Sequence, residues 1–155
     1  MIVVSDTSPV TSLLQTGHAE LLYVLFDEVY LPPAVQAELL RFHSELPDWL
    51  VVRPIVNQEC VCSWRAFLDA GEAEAIVLAE ESRADYLLID EKRGREFAES
   101  RGLKVIGLMG VLLLAKQSGR LATVSELIAQ LEAQAGFFVS PSVRSIVLDA
   151  AGEST

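Results

Sequence analysis

Residues 2–9, IVVSDTSP, and residues 86–91, YLLIDE, decide how the chain is read. Each is a short apolar run that closes on a carboxylate, Asp6 in the first and Asp90 in the second. Runs without polar alternation belong to strands buried on both faces, as in a parallel sheet covered by helices. An acid at the end of such a strand either caps the following helix or contributes to a site beyond the sheet.

Working outward, further strand-like runs stand at EVYL (28–31), VVRPIV (51–56) and LKVIG (103–107). Segments of helical period separate most of them. That alternation predicts βαβ units and a three-layer α/β/α sandwich around a mostly parallel sheet of about five strands. The punctuation agrees. Ser8-Pro9 and Ser140-Pro141 read as N-caps followed by proline at the first helical position. Thr123 and Glu126 have the spacing of a capping box, and Gly136 stands where a C-cap glycine belongs. With no internal repeat or linker, residues 1–155 read as one domain, a core over about 1–119 and a helical extension over about 120–155.

Composition narrows the class. Cys60 and Cys62 are one residue apart, too close for an unstrained disulfide and too few for a zinc site. The longest apolar run, VIGLMGVLLLA, falls well short of the ~20 residues that span a bilayer. These features predict a soluble, cytoplasmic protein without a membrane partner. The formal charge of −10 is unusual for a nucleic-acid binder. Its distribution matters more: six of the twelve Lys and Arg residues fall between positions 83 and 104, around Asp90. The same segment carries Glu91, Glu96 and Glu99, so it also fits a solvated helix face.

Four acids stand out. In IVVSDTSP, Ser8 supplies the expected cap, which leaves Asp6 without capping work. Asp90 can cap the helix EKRGREFAES or point into a site, and the sequence leaves both open. In PPAVQAELLRF, an apolar stripe through Val35, Leu39 and Phe42 puts Glu38 on its flank. In LDAGEAEAIVLAEESR, Glu72 shares a face with Ile76 and Ala79 whereas Glu74 points elsewhere, although Asp69 and Glu72 also have capping-box spacing. Carboxylates that converge without basic partners repel one another unless a divalent cation neutralises them. Oxygen-only ligands select Mg²⁺ or Mn²⁺, ions suited to phosphoryl chemistry.

The segments VVSDTS, VQAEL, LDAGEAEAI, LLIDE and GLKVIGLMGVLLLAK, in that order, resemble the PIN-domain proteins, and among them the branch common in VapC-type toxin–antitoxin ribonucleases. The resemblance implies that Asp6, Glu38, Glu72 and Asp90 are the metal ligands and catalytic acids. Ser8, Thr7 and Glu91 would support them from behind. Arg95, in a G-R-x-F-A segment, matches a phosphate contact, and Lys92, Arg93 and Lys104 would track the RNA backbone. Glu stands at 72 and 91 where the family often has Asp, which touches metal number and the division of labour. The activity implied is hydrolysis of an RNA phosphodiester by metal-activated water, leaving a 5′-phosphate, on single-stranded or loop RNA. The partners implied are a cognate antitoxin and a second copy of the chain, with FFVSPSVRSIVL (137–148) as a candidate interface. The competing expectation is an inactive PIN-like fold that binds nucleic acid or a protein partner.

Other sites fit less well. A phosphoaspartate enzyme needs a second Asp at position 8, which is Ser8, and a dinucleotide-binding turn needs glycines that SDTSPV lacks. His18 and His43 have no partner at ligand spacing, and Trp49 and Trp64 read as packing residues.

Overall fold

The computed structural model describes residues 1–153. Five short strands, β1 (Val3–Ser5), β2 (Val29–Leu31), β3 (Leu50–Val52), β4 (Tyr86–Leu88) and β5 (Val105–Ile106), form one sheet in the order β3-β2-β1-β4-β5, with every pairing parallel. The helices are α1 (Thr7–Gln15), α2 (Glu20–Phe26), α3 (Pro33–Phe42), α4 (Gln58–Trp64), α5 (Ala70–Glu81), α6 (Lys92–Ser100), α7 (Leu108–Gln117), α8 (Val124–Gln134) and α9 (Pro141–Ala150).

Successive strand side chains face opposite sides of a sheet, so neighbouring valines of β1 serve different layers. Val3 packs with α1, α2, α3, α7, α8 and α9, whereas Val4 packs with α4, α5 and α6. The result is the three-layer α/β/α sandwich that the alternating pattern predicts. Residues beyond position 119 share the first core: Leu127, Ile128, Leu131, Val139 and Val147 lie in the same cluster as Val3 and Val29. Among the described residues no helix is long and apolar enough to cross a membrane.

The strands are shorter than the apolar runs. At the sheet edge, β3 stops before Pro54, which has no N–H for a ladder. Several helix starts also differ from expectation. Ser8 is not the cap of α1; the helix begins at Thr7, and Ser8 is an exposed residue of its first turn. Pro9 is tolerated there because the first-turn amides have no partner within the helix. Asp6 holds the cap position without making a cap hydrogen bond. Thr123 and Glu126 form no capping box, because the Glu153 carboxylate reaches the same helix end and accepts from the Val124 and Ser125 amides at 2.7 and 3.1 Å. Ser140 caps α9 as its sequence suggests, accepting from the Val143 amide. Gly136, with φ +63°, follows α8 as a C-cap glycine. Phe42 does not join Val35 and Leu39 in the core; it is 71% exposed at the last position of α3.

From β1 the chain winds outward to β2 and β3, then crosses back to β4 and β5 on the other side. The order reverses between β1 and β4. Crevices beyond the carboxyl ends of strands at such a switch point are where open parallel sheets bind ligands. Asp6 follows β1, and Asp90 lies two residues beyond β4.

Candidate metal centre

Register brings the two strand ends together. Ser5 pairs with Leu88, and the Asp6 amide donates to the Leu88 carbonyl at 2.9 Å. Asp6 is 8% exposed, and burial pushes its carboxyl up to about 7, with repulsion from Asp69, Glu72 and Glu38 adding to the rise and the Thr7 N–H opposing it.

The other acids arrive on helices. α3 packs against α1 and α5, and the Thr7 hydroxyl donates to Glu38 Oε2 at 2.7 Å. Glu38 Oε1 is left facing the start of α5. There the predicted capping box forms: Asp69 Oδ1 accepts from the Glu72 amide at 2.8 Å, and Glu72 Oε1 accepts from the Asp69 amide at 3.1 Å. The box accounts for one oxygen of Glu72. The second, Oε2, is buried without a hydrogen-bond partner, and burial raises the acid's pKa, with the charges of Asp69 and Glu91 adding to the rise.

Gly71 sits at the focus. A Cβ there would lie 2.9 Å from Glu38 Oε1, 3.2 Å from Asp6 Oδ1 and 3.5 Å from Asp69 Oδ1. Three carboxylates from three segments therefore rim one small space that any side chain would fill. Among the described residues no three acids already form a closed ligand set; the oxygens rim the space without closing on a point. The residues nonetheless fit a hard divalent cation: every donor is a carboxylate oxygen, Glu72 contributes an orphaned buried one, and none of these four acids is in a salt bridge among the described residues.

Asp90 is placed differently. It does not cap α6, whose cap position is Glu91. Its Oδ1 accepts instead from the Leu108 amide at 2.8 Å, capping α7 from a distance of eighteen residues. Oδ2 is buried and unpartnered. Burial raises its pKa, opposed by the Leu108 N–H and by the positive charge of Arg95.

The model of a family described as a PIN domain matches residues 2–153. This chain is a PIN-domain protein. PIN domains are in general nucleases, hydrolases that bind nucleic acids and typically use divalent metal ions. The match bears out the resemblance to the PIN family and covers nearly the whole chain, but it does not single out the VapC-type branch. No curated protein matches the chain.

In this PIN domain the structure gathers Asp6, Glu38 and Asp69 about Gly71, keeps Glu72 close enough to act on Asp6 electrostatically with its Oε2 toward Gly94, and leaves Asp90 apart from them beyond the end of β4. Asp69 is readable in the sequence only as a capping residue; the available signal is two acids flanking a glycine at a helix start. Of the supporting residues, Thr7 holds Glu38, whereas the Ser8 hydroxyl has no hydrogen-bond partner among the described residues. Glu91 is exposed, yet close enough to Glu72 to act on it electrostatically.

The basic segment does not form one track. Lys92 is exposed, 3.9 Å from Glu96, and Arg93 donates to the Phe67 carbonyl at 3.3 Å. Arg95 lies half-buried, with Nη1 2.6 Å from where a Cβ on Gly107 would be, beside Asp90 Oδ1. Lys104 precedes β5 and lines a pocket with Met1, Ala84 and Asp85, at the sheet end opposite the acids. That position sets it apart from Lys92 and Arg95, which line the groove beside Asp90.

Proposed function

We propose that this PIN-domain protein is a metal-dependent endoribonuclease that hydrolyses RNA phosphodiester bonds with Mg²⁺ or Mn²⁺. The observation that carries the reading is the ring of Asp6, Glu38 and Asp69 oxygens around Gly71, with Glu72 one residue on and its unpartnered Oε2 turned toward Gly94. Asp6, Glu72, Glu38 and Asp69 would hold the ion, and Asp90, with its unpartnered Oδ2, would serve from the end of β4. A bound divalent ion acidifies water and stabilises charge developing on phosphate oxygens. The chain's own part is positional. Thr7 fixes Glu38, the Asp69 amide occupies Glu72 Oε1 so that Oε2 is left free, and the bond from the Asp6 amide to the Leu88 carbonyl fixes the backbone beneath Asp6. Lys92 and Arg95 stand where a backbone phosphate entering past Asp90 would pass. A narrow crevice suits an unpaired strand better than a duplex.

The order of the motifs supports a toxin of a toxin–antitoxin pair, with an antitoxin and a second copy of the chain as partners. The purified protein is expected to cleave single-stranded RNA only with Mg²⁺ or Mn²⁺, and Asp6→Asn to abolish both cleavage and Mn²⁺ binding by calorimetry. Intact RNA together with no heat of Mn²⁺ binding would favour the competing reading, a non-catalytic binding module. For the biological role, induced expression should arrest growth, and a small neighbouring gene product should relieve the arrest.

A further inference from the structure

Beside the acid centre, on the β5 side, lies a groove of about 940 Å³, within the roughly 300–1,000 Å³ range of ligand pockets. Its walls are the start of α6, the β5–α7 turn and residues 137–143. Two properties distinguish it. Its charged lining consists of Lys92, Arg95 and the single acid Asp90, a basic excess in a chain of net charge −10. Its mouth carries Phe138, 79% exposed, between Phe137, which packs against the core, and the buried Val139. The anchoring of Val139 and the Ser140 cap of α9 fix the backbone on which that ring is held out into solvent.

We propose that this groove is a base-binding subsite for single-stranded RNA: a nucleobase flanking the scissile phosphate stacks on Phe138, and Lys92 and Arg95 hold the adjoining phosphates. The proposal rests on the ribonuclease reading of the acid centre and extends it to substrate choice. Proximity along the sheet supports it: Asp90 lines the groove and stands two residues past Leu88, whose carbonyl accepts from the Asp6 amide, so the groove opens at the strand ends from which Asp6 and Asp90 issue. Charge complementarity supports RNA over a second copy of this acidic chain. Stacking on an aromatic face beside cations is how proteins bind unpaired nucleotides.

The test uses the full chain carrying Asp6→Asn, so that RNA survives, and a fluorescein-labelled single-stranded 12-mer in Mg²⁺. Adding Phe138→Ala should weaken binding roughly tenfold, a typical cost for one lost base stack, while Phe138→Trp keeps it. Lys92→Ala should lower the slope of log affinity against log salt by about one. Because Phe138 is exposed, the melting temperature should not move. In the chain with native Asp6, Phe138→Ala should also alter which phosphodiesters are cut. Failure of the Asp6→Asn protein to bind the 12-mer, or equal binding with and without Phe138→Ala, overturns the subsite. So does a fall in oligomeric mass on Phe138→Ala with RNA affinity unchanged, which would make the groove an interface between copies. Binding that depends on Phe138 without any metal-dependent cleavage would instead sink the ribonuclease reading and leave the subsite standing.

Discussion

Burial favours a proton on Asp6 that an exposed carboxyl would give up to water. Its carboxyl is raised to about 7 by burial, with three neighbouring acids adding to the rise. The unfolded chain loses that proton near 3.8. Between these values the folded state binds one more proton than the unfolded state, so stability falls as pH rises from about 4 through 7 and then levels. The loss approaches about 4 kcal/mol, because each pH unit across that interval costs about 1.4 kcal/mol. Glu72 and Asp90, also raised, act in the same direction. In chelator, urea unfolding at pH 5 and pH 8 should show wild type losing stability at the higher pH. Asp6→Asn should lose markedly less. A wild-type stability that rises over this interval would contradict the burial of the acid.

The same proton bears on metal binding. An ion at the Gly71 space must displace it, so Mn²⁺ affinity should rise with pH up to about 7. Calorimetry at pH 6 in buffers of different ionisation enthalpy should report proton release, and release should vanish near pH 8.5. Gly71→Ala separates space from charge. The new Cβ would stand 2.9 Å from Glu38 Oε1, the far end of a flexible side chain that can move aside. Alanine also favours the helix by up to ~1 kcal/mol over glycine. The variant should therefore melt at or above the wild-type temperature while binding Mn²⁺ at least ~10-fold more weakly, the scale of losses around ligand shells.

Residue-scale legibility follows from what each acid needs. Asp6 can be singled out because a strand-ending acid is locally visible. It makes no cap hydrogen bond, as the sequence suggests, but Ser8 does not take that role in its place. Glu72 is readable as a capping residue and as a site residue, and it is placed for both because a carboxylate has two oxygens. Asp69 is hidden because its approach to Asp6 and Glu38 depends on how α3 and α5 pack, which no local pattern encodes.

At the scale of elements, helix ends are closed by distant residues more often than their own caps suggest. Glu74 accepts from the Ala34 amide at the start of α3, Asp90 from Leu108 at the start of α7, and Glu153 from two amides of α8. Capping boxes are local patterns and can be read; a cap that arrives from another element cannot. Thr123 illustrates the difference, since its buried hydroxyl has no partner while Glu153 takes over the helix end. Glu153 also pairs with Lys116 Nζ at 3.0 Å, so it ties the stretch after α9 to α7 and α8. The Val124 amide foremost, and Lys116 and Ser125 with it, lower its pKa to about 2. A lowered folded value contributes stability that is complete above about 4.5 and is lost as pH falls toward 2. Glu153→Gln should lower the melting temperature at pH 7, with a loss of about 1 kcal/mol in unfolding free energy if it behaves as a lost cap. At and below about pH 2 the variant and wild type should converge.

At the scale of the whole molecule, the architecture is legible because a parallel sheet covered on both faces needs uniformly apolar strands, and these are visible. The strand order is not. It emerges from the reversal between β1 and β4, and this reversal makes neighbours of Asp6 and the segment leading to Asp90. The basic segment 83–104 looks like one patch in one dimension. The fold divides it: Arg101 pairs with Glu80 and Lys104 goes to the opposite end of the sheet, leaving Lys92 and Arg95 at the groove.

The crowd of acids around Gly71 also bears on how long the molecule survives. Four carboxylates held together without a counter-ion destabilise the folded state, and a ligand that binds only that state restores it by mass action. Proteases in a cell sample the opened chain in proportion to its equilibrium population. With the ion proposed for this site, the protein should therefore turn over faster when manganese and magnesium are scarce, and Asp6→Asn should blunt that response. Pulse-chase half-lives under metal starvation would show it: the supply of an inorganic nutrient would set the abundance of the protein.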